Sequence, residues 1–249
     1  VSSDAPRHVV ALSGGKDSTA LALRLAETAP SVDFTYLCTP TGDELPEMLE
    51  HWGRLEDMLG NPIVRVSNGT LDGLIEKWNA LPNGRQRWCT RVLKIEPCLA
   101  YFAALPVGSV LYVGLRADEE ERQGIYSTTI DSRFPLREWG WELAEVTGYL
   151  RRRGVSIPAR TDCARCYGQR IGEWWDLWKM HPSIYADAEA QETATGHTFR
   201  SAQRDTWPAG LADLRTEFSS GRVPPGARSQ LSLPVIDDGG GTACRVCRL

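Results

Sequence analysis

The sequence predicts a doubly wound, mostly parallel α/β sheet followed by a C-terminal helical, cysteine-bearing layer. Three observations carry that expectation. Short apolar runs alternate with segments of helical periodicity up to about residue 133, a glycine turn joins the first run to the first helical segment, and beyond residue 133 strands give way to tryptophan-rich helical segments.

The elements follow in order. Val9 to Leu12 is a short apolar run, and SGGKDS separates it from TALALRLAET, whose strong helix formers carry apolar residues at helical spacing. DFTYLCTP reads as a second strand, so one helix links two strands and the unit is a parallel βαβ. Met48, Leu49, Trp52, Leu55, Met58 and Leu59 form a helical stripe that Gly60 closes as a C-cap. NPIVRVS and SVLYVGL supply later strands, with helical segments at LDGLIEKWNAL and LKIEPCLAYFAAL between them. Residues 1–133 are thus expected as a nucleotide-binding α/β domain and residues 134–249 as a helical and tail region. Five of the nine tryptophans fall between Trp139 and Trp178, where their large apolar area predicts packing within a second layer. From Ser219 onward Gly, Pro and Ser dominate.

Composition narrows the function. With 249 residues, 42% of them hydrophobic, the chain holds one large domain or one domain with an appendage. No run reaches the roughly 20 apolar residues of a membrane span, and VSSDAPRHVV lacks the apolar stretch of a signal peptide. The expected setting is cytoplasmic, with no membrane partner. Seven cysteines in a reducing compartment are expected as buried, catalytic or metal-bound thiols rather than structural disulfides. Of 28 cationic residues only Lys16, Lys77, Lys94 and Lys179 are lysines, and arginine's planar fork suits phosphate and carboxylate. The net charge of −4 nevertheless leaves nothing like the broad basic surface of an obvious nucleic-acid binder.

Ser13-Gly14-Gly15-Lys16-Asp17-Ser18 lies between a strand and a helix, the context that gives a glycine-rich loop chemical meaning. Glycines let the backbone turn close to a ligand, and the N–H groups opening the helix face an anion with a favourable dipole. Lys16 would neutralise a phosphate oxygen, Ser13 and Ser18 would donate hydrogen bonds, and Asp17 would act through Mg²⁺ or cap the helix. The spacing is not that of the kinase and GTPase P-loop, which needs four residues between its first glycine and Gly-Lys.

SGGKDS matches in full the SGGxDS motif of the PP-loop ATP pyrophosphatases, and the chain resembles that superfamily. The resemblance implies an adenine nucleotide alpha hydrolase-like fold, cleavage of ATP between its α and β phosphates, and pyrophosphate held on residues 13–18. Further segments resemble the phosphoadenylyl-sulfate reductase-like branch. Thr41-Gly42-Asp43-Glu44-Leu45-Pro46-Glu47 is similar to its TGxExPE turn, GLRADEEER (Gly114 to Arg122) to its GxRxxES-x-R segment with Glu120 in place of serine, and FPLREW to a third signature. What the resemblance implies is nucleotide binding by residues 13–18 with Gly42, Glu44 and Gly114, and catalysis by Lys16, Asp17, Arg116 and Arg122. Sulfonucleotide reductases usually carry an altered loop and a C-terminal Glu-Cys-Gly-Leu-His-like segment, which is missing here. Retention of SGGKDS is closer in character to the sulfurtransferases of DNA phosphorothioation.

Cys89 lies in RWCTRVLKIEP, which resembles the CCxxRKxxP segment of iron-sulfur adenylyl-sulfate reductases, with Thr90 at the second cysteine and Lys94 and Pro97 retained. Cys163-Ala164-Arg165-Cys166 stands where that family supplies a second pair, and Cys244-Arg245-Val246-Cys247 adds another. Each CxxC brings two thiolates within reach of one metal. Two ligand sets are open: Cys89, Cys163 and Cys166 with Cys244, Cys247 or an open position around a [4Fe-4S] cluster, or both CxxC pairs around Zn²⁺. Arg85, Arg87, Arg91 and Lys94, then Arg151 to Arg153, Arg160, Arg165 and Arg170, are expected around such a centre, where cations lower thiol pKa values. Cys38 and Cys98 read as buried small hydrophobes. His8, His51, His181 and His197 form no metal spacing and are given no role.

The leading functional expectation is an ATP-dependent sulfurtransferase that binds ATP with Mg²⁺, adenylates an acceptor and lets sulfur displace AMP. By the resemblance the acceptor is DNA or another nucleic acid, with a small metabolite as the other choice. A sulfur donor such as a cysteine desulfurase and partner subunits complete the expected company. The alternatives are a sulfonucleotide reductase and a non-catalytic nucleotide-binding subunit with a structural zinc.

Overall fold

The computed structural model describes residues 5–119 and 130–227. In chain order it contains β1 (His8–Ala11), α1 (Lys16–Thr28), β2 (Phe34–Cys38), α2 (Pro46–Leu59), β3 (Ile63–Arg65), α3 (Leu71–Trp78), α4 (Trp88–Thr90), α5 (Glu96–Ala103) and β4 (Val110–Tyr112). Beyond these lie β5 (Ser132–Arg133), α6 (Pro135–Glu138), α7 (Leu143–Arg152), α8 (Ile171–Met180), α9 (Pro182–Thr195) and α10 (Leu211–Ser219). The strands form one sheet in the order β3-β2-β1-β4-β5, with every neighbouring pair parallel. This is the doubly wound α/β fold that the alternation of runs predicts. β5, only two residues long, carries no periodicity by which a sequence could announce it.

Both faces of the sheet are covered, which is why its strands read as continuous apolar runs. Val10, Phe34, Tyr36 and Cys38 face a core shared with α1, α2 and α7, whereas Val9, Leu37 and Leu111 face the opposite layer, where Cys98 of α5 packs. Gly60 ends α2 in the left-handed conformation at φ 67°, as a C-cap glycine should. Cys38 and Cys98 are both buried as expected, and burial pushes the Cys38 thiol up to about 12.

A second core gathers α3, α8, α9 and α10 around Trp174, Leu93, Tyr185 and Phe199. The tryptophans expected to share one layer therefore divide between two. Trp139 and Trp141 pack with α7 on the first core, while Trp174, Trp175 and Trp178 belong to the second. Both cores draw residues from either side of residue 133. Between α4 and α5 the helix widens into a π turn at Arg91–Ile95, where the Glu96 N–H reaches the Arg91 carbonyl. Pro97 explains it: a proline has no N–H to offer the carbonyl four residues back, and its ring crowds that group. None of the helices of the described residues is long and apolar enough to cross a membrane.

Candidate active site

In a sheet of this order the chain leaves β1 towards β2 on one side and reaches β4 on the other, and the crevice between β1 and β4 at their carboxyl ends is where ligands settle in such folds. The SGGKDS loop fills that crevice. Gly14 takes φ 86°, open to glycine and strained for other residues, and a Cβ there would stand 2.1 Å from Met48 Cε and 2.7 Å from Trp52 Nε1. The loop is held from α2: the Trp52 indole N–H donates to the Ser13 carbonyl at 3.0 Å, and His51 Nε2 donates to the Gly14 carbonyl at 3.1 Å. Burial, then the charge of Arg54, pulls the His51 pKa down to about 4, so its ring is neutral and Nε2 carries the proton.

Ser13 and Ser18 hydroxyls meet at 3.0 Å across the loop, and Ser18 also donates to the Gly15 carbonyl at 3.1 Å. The N-cap of α1 is Gly15, and no side chain caps the helix. Gly15 thus offers the first turn no side-chain cap, and a helix N-terminus of this kind suits an anion. Lys16 and Asp17 sit in that first turn, both largely buried. Gly114, just after β4, lies so close to α1 that a Cβ would stand 3.0 Å from the Asp17 carbonyl carbon and the Ser18 nitrogen.

Arg116 joins the two sides of the crevice. Its guanidinium donates to Asp17 at 2.9 Å and to Asp118 at 2.8 Å, with Glu119 at 3.9 Å. Burial pushes the Asp17 carboxyl above its ordinary range, against the pull of Arg116 and Lys16. One Asp17 oxygen thus pairs with Arg116, while Oδ1 is buried with no hydrogen-bond partner. A buried, orphaned carboxylate oxygen beside an uncapped helix terminus fits a hard divalent cation such as Mg²⁺. Arg137 supports the segment by donating to the carbonyls of Arg116 and Glu119 at 3.3 and 2.5 Å.

The turn after β2 organises the neighbouring site. Glu44 accepts from the backbone N–H of Thr41 and Gly42 at 2.7 and 3.0 Å and from the Thr41 hydroxyl at 2.8 Å, so it staples its own turn. Gly42 adopts φ 73° against Thr70, where a Cβ would meet that side chain at 2.7 Å. Asp43 turns inward to Arg165: the guanidinium donates to Oδ1 at 2.6 Å and the Arg165 N–H to Oδ2 at 2.8 Å. Burial raises the Asp43 carboxyl and Arg165 opposes it; although burial disfavours the Arg165 charge, Asp43 and Asp72 push its pKa up.

This pair clamps the loop that carries Cys163 and Cys166 onto the sheet edge. Cys89, Cys163 and Cys166 line one cavity together with Thr41, Leu93 and Lys94. The Cys163 thiol lies 3.3 Å from the Thr41 hydroxyl, and Arg160 holds its loop by donating to the Cys163 carbonyl at 2.7 Å and to Gln169 at 2.8 Å. Burial drives the Cys163 thiol well above its ordinary pKa, against the field of Lys94. Among the described residues no group of three or more His, Cys, Asp or Glu side chains is set to hold a single metal ion. Three thiols nevertheless line one cavity, with no carboxylate or imidazole in its lining among the described residues, and thiolates are the ligands of iron-sulfur centres.

The structure brings Ser13 to Ser18, Gly114 and Arg116 together at one crevice, and Gly42 and Glu44 with Cys89, Cys163 and Cys166 at the next loop. Arg122, Cys244 and Cys247 lie outside the described residues, as does Glu120. Of the arginines expected around the thiols, Arg153 pairs instead with Glu27 at the far end of α1 at 3.1 Å. Arg165 spends its charge on Asp43 and on Asp72 at 2.7 Å. His51, Trp52, Arg137 and Gln169 escape sequence reasoning because their partners are backbone carbonyls and buried side chains of other elements. The one available signal was Trp52 beside His51 on the stripe that faces the sheet.

The family model of the phosphoadenosine phosphosulfate reductase domain matches residues 7–159. Among solved structures, the chain is similar to phosphoadenylyl-sulfate reductase from Candida auris in a phosphate complex, with a TM-score of 0.50 and 14% identity over 61% of this chain and 75% of that one. That likeness is one of fold. The U34-tRNA thiolase NcsA from Methanococcus maripaludis with its [4Fe-4S] cluster aligns with a TM-score of 0.47 and 16% identity, over 80% of this chain and 75% of that one. Among curated proteins nothing matches.

Two outcomes test the geometry. His51→Gln removes a group whose pKa falls from 6.5 unfolded to about 4 folded. The unfolded chain takes up that proton first as pH falls, so the native protein loses stability between those values, by up to about 1.4 kcal/mol per pH unit. The difference in melting temperature between wild type and His51→Gln should therefore be largest above pH 6.5 and shrink towards pH 4; a difference independent of pH would contradict the buried neutral ring. Asp43→Asn removes the buried one of Arg165's two carboxylate partners, leaving the half-exposed Asp72, and should cost about 3 kcal/mol in urea unfolding.

Proposed function

Since the chain belongs to the phosphoadenosine phosphosulfate reductase domain family, we propose that it is an ATP pyrophosphatase built on that fold, which adenylates an acceptor and passes sulfur to it. The observation that carries the proposal is the intact SGGKDS loop opening α1 with an uncapped N-terminus at the β1–β4 crevice. A reductase whose substrate already bears its sulfate has no pyrophosphate to hold there, whereas an enzyme that cleaves ATP between the α and β phosphates does.

In this reading the first-turn amides of α1, with Lys16 and the Ser13 and Ser18 hydroxyls, bind the β and γ phosphates. Asp17 would hold Mg²⁺ through Oδ1, and the ion would supply positive charge to the phosphate oxygens. Arg116 favours the ionised form of Asp17 against its burial and fixes its direction, a positioning role distinct from direct contact with phosphate. An oxygen of the acceptor attacks the α phosphorus, the α–β bond breaks, and pyrophosphate leaves with its charge met by the loop. A persulfide from a donor such as a cysteine desulfurase then attacks the acceptor atom that carries the adenylyl oxygen, AMP leaves with the bonding pair, and a thiol reductant supplies the two electrons that cleave the resulting disulfide and leave sulfur on the acceptor. Cys89, Cys163 and Cys166 would hold a [4Fe-4S] cluster, which when bound supplies iron sites with affinity for sulfur. The acceptor is taken to be a nucleic acid, and the cell compartment to be the cytoplasm.

With ATP and Mg²⁺ the protein should release pyrophosphate and AMP, and Lys16→Ala should slow that release by about 100-fold or more. Thiol-dependent sulfite formation from adenylyl sulfate without pyrophosphate release would establish the reductase instead. Anaerobic purification should yield a brown protein with iron and acid-labile sulfide, both lost in Cys163→Ala. A colourless protein with stoichiometric zinc would overturn the cluster.

A further inference from the structure

Beside the thiol cavity lies a larger one of about 850 Å³, lined by Asn83, Arg85, Gln86, His197, Arg204 and Tyr167 among others. Tyr167 is a common wall of the two. A third cavity, of about 430 Å³, opens at Gln86, Arg87, Trp88 and Arg91, and Gln86 is common to it and the large one. The segment from Asn83 to Arg91 thus runs past all three, with Cys89 on the innermost. In a chain of net charge −4, no Asp or Glu among the described residues lines any of them.

The cations are placed rather than scattered. Arg204 donates to the Tyr167 and Gly168 carbonyls at 3.0 and 2.8 Å, which fixes the guanidinium against the cysteine loop without neutralising it. The nearby carboxylate of Asp205 is taken up by Arg200, which it binds through both oxygens at 2.9 and 2.7 Å. Arg87 is the more telling residue. Its Nε and one terminal nitrogen are buried with no hydrogen-bond partner, two residues from Cys89. A guanidinium left that way is costly, and Arg87 lines the third cavity, where an anion can approach it. Aromatic faces stand alongside: Trp88 packs edge-on against Trp78 with centroids 4.9 Å apart, and Trp78 is 39% exposed.

We propose that the Asn83–Arg91 segment and the His197–Arg204 loop form a binding site for the phosphodiester backbone of a single-stranded nucleic acid, leading it to the thiol cavity. The inference rests on the adenylating sulfurtransferase reading above and supplies the site at which its acceptor binds. Cations spread over two cavities suit several phosphates in a row rather than one. Trp88 on the third cavity, with the half-exposed Trp78 against it, suits unstacked bases. Recessed cavities suit the backbone of an extended strand, whereas the grooves of a duplex are read by an element that protrudes into them.

The test uses the full chain and fluorescein-labelled 12-residue single strands, one deoxyribo and one ribo, followed by fluorescence anisotropy across a salt series. Tight binding by wild type is expected, about tenfold or more weaker in Arg85→Glu and in Arg87→Gln, with the slope of log affinity against log salt reduced by about 0.7 for each phosphate that the variant no longer neutralises. Arg85 is exposed, so its variant should keep the wild-type melting temperature. Preference for the deoxy or the ribo strand identifies the source of the backbone, and either keeps the site. Equal affinity of wild type and both variants, or no binding by wild type, overturns it. Pyrophosphate release by wild type is scored separately. Its absence alongside charge-dependent strand binding would overturn the adenylation reading and keep this site.

Discussion

The buried pair of Asp43 and Arg165 is the constraint on which the site depends. Asp43 belongs to the turn that leaves β2, and Arg165 to the loop between Cys163 and Cys166, 122 residues later. The contact does not rest on charge alone. The Arg165 N–H meets the same carboxylate, and the Ala164 N–H donates to the Asp43 carbonyl at 2.6 Å, so backbone is stitched to backbone around the ion pair. A pair enclosed in this way gains geometry more than stability, because desolvation offsets much of its Coulomb attraction. The geometry gained is the position of two thiols at the carboxyl edge of a sheet whose next loop is shaped for phosphate.

That loop is held in turn by what lies behind it. Gly14 and Gly114 let α1 come close to α2 on one side and to the end of β4 on the other, and His51 and Trp52 fix the loop carbonyls while the amides face outward. Arg116 then draws Asp17 and Asp118 into one network across the crevice. Four elements thus determine the direction of one carboxylate oxygen. A shift of any of them would move that oxygen, and this is how an arginine occupied by Asp17 and Asp118 bears on the crevice.

The sheet and its first loop were legible because local patterns dictate them: apolar runs for doubly covered strands, a stripe for α2, and glycines where the backbone must turn. The thiol pocket was legible only through the likeness of segments around Cys89 and Cys163. What could not be read were the long-range partners. Nothing near Asp43 points to Arg165, and nothing near His51 says that its ring will meet the Gly14 carbonyl. The arginines show the same limit from the other side. Counted along the chain they suggest no basic surface, yet folding consumes Arg165, Arg153 and Arg200 in ion pairs and leaves Arg85, Arg87 and Arg204 on connected cavities without a lining carboxylate. The division of the tryptophans between two cores has the same origin, since composition marks a segment as apolar without saying which face of the molecule will take it.

The interleaving of the two cores bears on how the protein is made. α3 and Leu93 are synthesised early, but the surfaces that bury them, on α8, α9 and α10, come from residues 171–219. During synthesis the sheet's first layer can close around α1 and α2 while the face of α3 waits, apolar and uncovered, for the last helices to emerge. The second core cannot be completed before those helices exist, and Cys89 packs at its margin. Assembly of a metal centre on Cys89, Cys163 and Cys166 would then follow the completion of the fold instead of seeding it.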